Sequence, residues 1–243
     1  MIRDLLLPFV LPWLSAALLL AGLAWRLGRW LRAKARPAPL FPAPTEPLAV
    51  WTGIAAEVCL LGGRRTVPTP GIVAAWCLHA ALVLLAVGHV RAVADFPGLW
   101  AALGLTVPEI DRLGAVAGGA AGLVALAATL ALALRRLVVP AVRRAGRPAD
   151  FLVLALLAAV LVSGLWLRLD GRTDLPVVRT YLAGLLSLRP GLLPASPGFV
   201  VHFLLAQALA VVFPWSKLLH AFGAFPAKAG LGDLPTPVAD GRA

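Results

Sequence analysis

Charge is scarce in this chain. Charged residues make up 14% of its 243 positions and hydrophobic residues 60%, with a mean hydropathy of +0.90. A water-facing surface cannot be built from that composition, so a soluble domain is excluded and the chain reads as a polytopic membrane protein. Cysteine is nearly absent. Cys59 and Cys77 lie in or beside apolar segments and form no CxxC or CxxCH pattern, which excludes covalent haem attachment and gives no sign of a protein-borne iron–sulfur cluster or a disulfide framework. The few serines and acids are assigned to loops, without a nucleophile–base arrangement. The formal charge of +11 does not imply nucleic acid, because the basic residues cluster at the ends of apolar runs and no base-reading motif accompanies them. They are topology signals.

Five apolar segments are long enough to cross a bilayer: about 5–25, 71–92, 114–134, 150–168 and 198–220. The expected fold is all-α, a bundle of five transmembrane helices forming one membrane domain over 1–226. The first segment reads as a retained span rather than a signal peptide, because its apolar run is too long and lacks a convincing cleavage site. Arg26, Arg29, Arg32, Lys34 and Arg36 follow it, and Arg135, Arg136, Arg143, Arg144 and Arg147 follow the third. The positive-inside rule then places the N-terminus outside and the C-terminus in the cytoplasm. Segment 37–70 is rich in proline and glycine, and is read as a cytoplasmic or re-entrant connection. The stretch 177–193, with apolar residues at helical spacing and arginines at both ends, is read as interfacial. Residues 227–243 are read as a flexible tail.

Histidine occurs four times, as His79 and His89 in the second segment and His202 and His220 in the fifth. Ionisable groups inside a membrane are costly and commonly functional. Four of them confined to two antiparallel spans suit the axial ligation of haem b between helices, and Met1, the single methionine, leaves bis-histidine ligation and two haems. Opposite chain directions pair His79 with His220 for an inner haem and His89 with His202 for an outer one. Straight helices do not match: the ten-residue separation spans roughly 15 Å and the eighteen-residue one roughly 27 Å. A kink at Pro214 reduces the mismatch. Packing or interfacial histidines in a haem-free membrane anchor or small transporter are the alternative.

The strings WCLHAALVLLAVGH at 76–89, AGGAAGLVALAATLALALRRLVVPAVRRAGRPADFLVLALL at 117–157 and VHFLLAQALAVVFPWSKLLHAFGAFP at 201–226 resemble the gamma subunit of respiratory nitrate reductase. That family includes the related membrane cytochromes b of sulfite-reductase-linked and heterodisulfide-reductase-like complexes. The similarity covers roughly 71–226, with both histidine spacings, the Gly118–Gly119 and Arg135–Arg136 pairs and the FPxSxLxH string in order.

The resemblance implies a dihaem subunit of the prokaryotic cytoplasmic membrane. It would exchange electrons between quinone or menaquinone near the outer haem and a cytoplasmic iron–sulfur subunit, itself joined to a further reductase subunit. By that resemblance Gly88 and His89 neighbour the quinone. Nitrate-type members carry a quinone-site lysine eight residues before the glycine pair, and Ile110 stands there in this chain. Arg112, the nearest cation, is a candidate for a quinone carbonyl or a haem propionate, with an interfacial anchor as the alternative. Arg135, Arg136 and Lys217 are candidates for propionate contacts. A positive-inside anchor or partner docking would equally explain the arginines, and snorkelling the lysine. The long 37–70 piece and the GHVR string at 88–91 look more like the sulfite-reductase-linked branch.

Overall fold

In a computed structural model of the chain, the described residues are 6–32, 52, 69–171, 174–189 and 191–220. Most of the 37–70 connection and all of the 227–243 tail lie outside them. Among the described residues the regular structure is entirely helical. Five helices are apolar and long enough to cross a membrane.

A π-helical turn, Leu6–Val10, leads into α1 (Leu11–Arg32). Then follow α2 (Pro70–Val93), the short α3 (Pro97–Ala102), α4 (Val107–Val138), the short α5 (Pro140–Ala145), α6 (Pro148–Asp170), α7 (Leu175–Leu186) and α8 (Pro197–Val212). Proline stands in the first turn of each helix from α2 to α8. There its missing N–H costs nothing, and its fixed φ suits the helix.

Three spans depart from their expected bounds by several residues, the first because α1 runs on to Arg32 rather than ending near 25. The third span was expected at 114–134, whereas α4 has 32 residues and is about 48 Å long at 1.5 Å per residue. It begins early because the Glu109 carboxylate accepts the Thr106 N–H at 2.8 Å and the Thr106 hydroxyl at 2.7 Å, which secures a start beyond the apolar run. The fifth span was expected to run to 220, but α8 stops at Val212. Two 3₁₀ turns follow, Phe213–Trp215 and Lys217–Leu219. Pro214 supplies no N–H to continue the ladder, and the Ser216 hydroxyl accepts the Leu218 N–H at 3.1 Å to start the second turn.

The core lies where α2, α4 and α6 meet and is built from small and aliphatic residues: Leu78, Ala81, Ala121, Ala125, Ala128, Leu157 and Leu161. Alanines let the backbones approach, which is how packing drives association where lipid is as apolar as leucine. Leu84, Val87, Leu123 and Leu130 remain exposed on the bundle, as a lipid-facing surface requires. A second cluster of Val178, Tyr181, Leu185 and Phe199 holds α7 against α8. The interfacial segment expected at 177–193 is thus a helix over Leu175–Leu186, docked by one apolar face.

The ends of the bundle differ in charge. Arg26 of α1, Arg136 of α4, Asp150 of α6 and Lys217 after α8 meet at one end. Asp150 is the only described acid there. At the other end Arg91 pairs with Asp95 and Asp111, and Arg179 bonds the Arg91 carbonyl at 3.0 and 3.2 Å. Trp100, Phe96 and the two arginines hold the Asp95 carboxyl below its ordinary range, the Trp100 N–H contributing most, against a smaller opposing effect of burial.

Tyr181, the one tyrosine of the chain, ties α7 to the start of the first helix by donating to the Pro8 carbonyl at 2.6 Å. Burial pushes its phenol up to about 12, from an ordinary 10.0. A raised value in the fold means that its contribution is complete below pH 10 and is lost as pH rises through about 12. Tyr181→Phe is expected to abolish that alkaline component of thermal unfolding in detergent. At neutral pH it should cost about 1 kcal/mol, the usual worth of one hydrogen bond.

Candidate functional site

The four histidines are held in the same way at one nitrogen. His79 Nδ1 lies 2.6 Å from the Ala75 carbonyl and His89 Nδ1 lies 2.6 Å from the Leu85 carbonyl, each one turn back on α2. His220 Nδ1 bonds the Lys217 carbonyl. His202 Nδ1 reaches from α8 to α6, 3.0 Å from Ser163 Oγ and 3.2 Å from the Val160 carbonyl. The Ser163 hydroxyl donates its own proton to Val160 O at 2.9 Å, so it is free to accept from the imidazole. A carbonyl oxygen only accepts, so each Nδ1 carries the proton and each Nε2 of a neutral ring offers a lone pair.

Those rings meet in two pairs. His79 and His220 have their Nε2 atoms 3.2 Å apart and ring centroids 5.4 Å apart, the planes at 75°. His89 and His202 have centroids 6.2 Å apart and planes at 22°. The structure therefore brings together the same two pairs that the topology suggested. The helical rise explains the match. Val212, where α8 ends, is ten residues beyond His202, the same separation as His79 to His89, and the 3₁₀ turns carry His220 from there.

The donor set also indicates what kind of group suits it. Two acceptor nitrogens facing each other, as in the His79–His220 pair, repel unless an electrophile lies between them, and a metal centre held by the imidazoles would supply one. Among the described residues no group of three or more His, Cys, Asp or Glu gathers, so a bare ion would lack its remaining ligands. A macrocycle supplies them, and the residues present fit haem b.

The other candidates are placed as follows. A Cβ on Gly88 would meet nothing within 4 Å, so the backbone beside His89 borders open space. Ile110 is buried. Arg112, two residues on, is exposed on another face of α4, and no hydrogen bond or ion pair joins it to a described residue of the histidine pairs. Arg135 lies over Gly71 at the start of α2, where a Cβ would be 2.8 Å from its Nε. Arg136 and Lys217 both bond Asp150, at 3.2 and 2.6 Å. They also line a cavity of about 470 Å³ shared with Arg26, Trp30 and His220. Ser163 and Asp150 are therefore site residues absent from the sequence reading, which assigned serines and acids to loops. Both lie in α6, with Ser163 in its interior, and Ser163–Gly164 is a small, polar break in an otherwise aliphatic run.

Five membrane-length helices with paired imidazoles facing across the bundle define a multi-pass membrane electron-transport protein of the cytochrome b class. The chain belongs to the nitrate reductase gamma subunit family, which matches residues 72–228. An Hdr-like menaquinol oxidoreductase cytochrome b-like subunit of Archaeoglobus fulgidus is 38% identical over 109 residues, 43% of this chain and 33% of that protein. The nitrate reductase gamma chain of Bacillus subtilis is 27% identical over 152 residues, 59% of this chain and 68% of that one. A counterpart of the first in Archaeoglobus profundus is 27% identical over 164 residues, 60% of this chain and 45% of that protein. The match thus spans as little as a third of the length of these relatives. The chain is a redox-complex subunit of the prokaryotic cytoplasmic membrane.

Proposed function

We propose that the chain holds two haems b, one between His79 and His220 and one between His89 and His202, and carries electrons across the membrane between quinone and an iron–sulfur partner. The observation that carries this reading is the common arrangement of four imidazoles, each with Nδ1–H bonded and its ring set against a partner ring across the bundle. Haem supplies the one-electron chemistry when bound. The protein's part is to fix the tautomer and aim of each ligand, and the hydrogen bond at Nδ1 does both.

The cationic end supports a cytoplasmic C-terminus, so the His79–His220 pair is inner and the His89–His202 pair outer. Open space at Gly88 beside His89 suits a quinone headgroup on the outer side, with Arg112 the cation on the same end of α4. The menaquinol named for the Archaeoglobus relatives makes menaquinone the favoured substrate. A cytoplasmic iron–sulfur subunit and a further reductase subunit complete the complex in this reading.

The test is the dithionite-reduced minus oxidised spectrum of the purified chain, with pyridine haemochrome quantification. Two b-type haems per chain are expected. Absence of b-type alpha absorption from the folded protein would overturn the reading in favour of a haem-free anchor or transporter.

A further inference from the structure

His79 and His89 take their Nδ1 support from a carbonyl one turn back on α2 and His202 takes it from α6, but His220 takes it from Lys217, in a segment that has left the helix. The 3₁₀ turns at 213–219 have no continuous ladder to hold them, so their position depends on ties to other helices. Arg26 Nε donates to the Pro214 carbonyl at 3.0 Å. A second long-range tie is Lys217 Nζ to Asp150 Oδ2 at 2.6 Å, and Lys217 is the residue whose carbonyl supports His220.

Asp150 is itself firmly placed. Its side chain is 7% exposed, and the same oxygen accepts from Arg136 of α4 at 3.2 Å and from the Arg147 backbone N–H at 3.1 Å. It is a buried acid on a rigid helix start, at an end of the bundle with no other described acid to take its place.

We infer that Asp150 is a positioning residue for His220, acting through Lys217. With Ser163 thirteen residues further along, α6 then orients both ligands supplied by the last segment, although it carries no histidine itself. The two contact points lie about 20 Å apart along α6 at 1.5 Å per residue. This inference rests on His220 being an axial ligand. If the wild-type protein holds no haem, that reading fails; if it holds two and the variants below leave them unchanged, this inference alone fails.

Asp150→Asn separates positioning from helix capping, because the asparagine Oδ1 can still accept the N–H of Arg147 at the helix start but brings no charge to Lys217. Lys217→Met cuts the same tie from the other side and leaves α6 untouched. Both variants are expected to alter the low-spin ferric EPR signal of the inner haem in the same way, since that signal reports the mutual angle of the imidazole planes. The outer signal should not move. The double variant should show no more change than either single one, and Lys217→Arg should restore the wild-type spectrum. If Asp150→Asn and Lys217→Met instead shift the inner midpoint potential in opposite directions with unchanged EPR spectra, the effect is that of charge alone and positioning is overturned. An EPR change in Asp150→Asn without one in Lys217→Met would also overturn it.

Discussion

His89→Ala is expected to leave one haem b per chain where the wild type holds two, and to abolish quinol reactivity while the inner haem stays reducible by dithionite. The outer pair is the only described imidazole pair at that level of the bundle, with ring centroids 6.2 Å apart. The single methionine, Met1, lies outside the described residues, and no third His, Cys, Asp or Glu gathers beside the pair among the described residues. Nothing in the described part of the site replaces a lost axial ligand. His202→Ala should therefore remove the same haem as His89→Ala, and His79→Ala the same one as His220→Ala. Redox titration followed at the alpha band resolves which is lost. Equal loss of both haems from a folded His89→Ala protein would argue against the pairing, as would different spectra for two variants of one pair.

The spans were legible because lipid imposes a simple rule: long apolar runs with charges at their ends form helices. The histidine pairs were legible because alternating helix direction decides which residues share a depth. What escaped was set by local exceptions to those rules. The early start of α4 depends on Glu109 closing back on Thr106, a polar contact outside the apolar window. The end of α8 at Val212 depends on Pro214, and with it the apparent 27 Å separation, which assumed a helix through to His220. Asp150 and Ser163 escaped because their roles exist only across helices. Asp150 meets Lys217 across 67 positions and Ser163 meets His202 across 39, and neither spacing leaves a periodic trace in one sequence. The glycine pair also has a neighbour not evident beforehand. Arg168 of α6 lies over Gly118 and donates to the Gly114 carbonyl at 2.8 Å, so these small residues accommodate a guanidinium between α4 and α6.

Gly164 is where a change of a few atoms should have the largest effect outside the ligands themselves. A Cβ built there would lie 3.1 Å from His202 Cε1 and 3.5 Å from Nδ1, so the imidazole occupies the space that any side chain on this face of α6 would fill. Gly164→Ala asks the ring to yield by a few tenths of an ångström. That strains the bonds of Nδ1 to Ser163 Oγ and the Val160 carbonyl, which are already the longer ones in the set at 3.0 and 3.2 Å. The outer haem is expected to remain bound with an altered EPR signal. Gly164→Leu leaves no such room. The ring must leave α6, its Nδ1–H loses both acceptors, and its stacked arrangement with His89 is lost. Helix formation itself does not suffer, since leucine is a better helix former than glycine by roughly 0.5–1 kcal/mol, so the fold and the inner haem should persist. Pyridine haemochrome is expected to fall from two haems per chain to one, with the surviving haem showing the inner midpoint potential. A Gly164→Leu protein that keeps both haems with unchanged spectra would mean that His202 is not held against α6 in the working protein. The outer ligand would then have to be oriented from α8 alone.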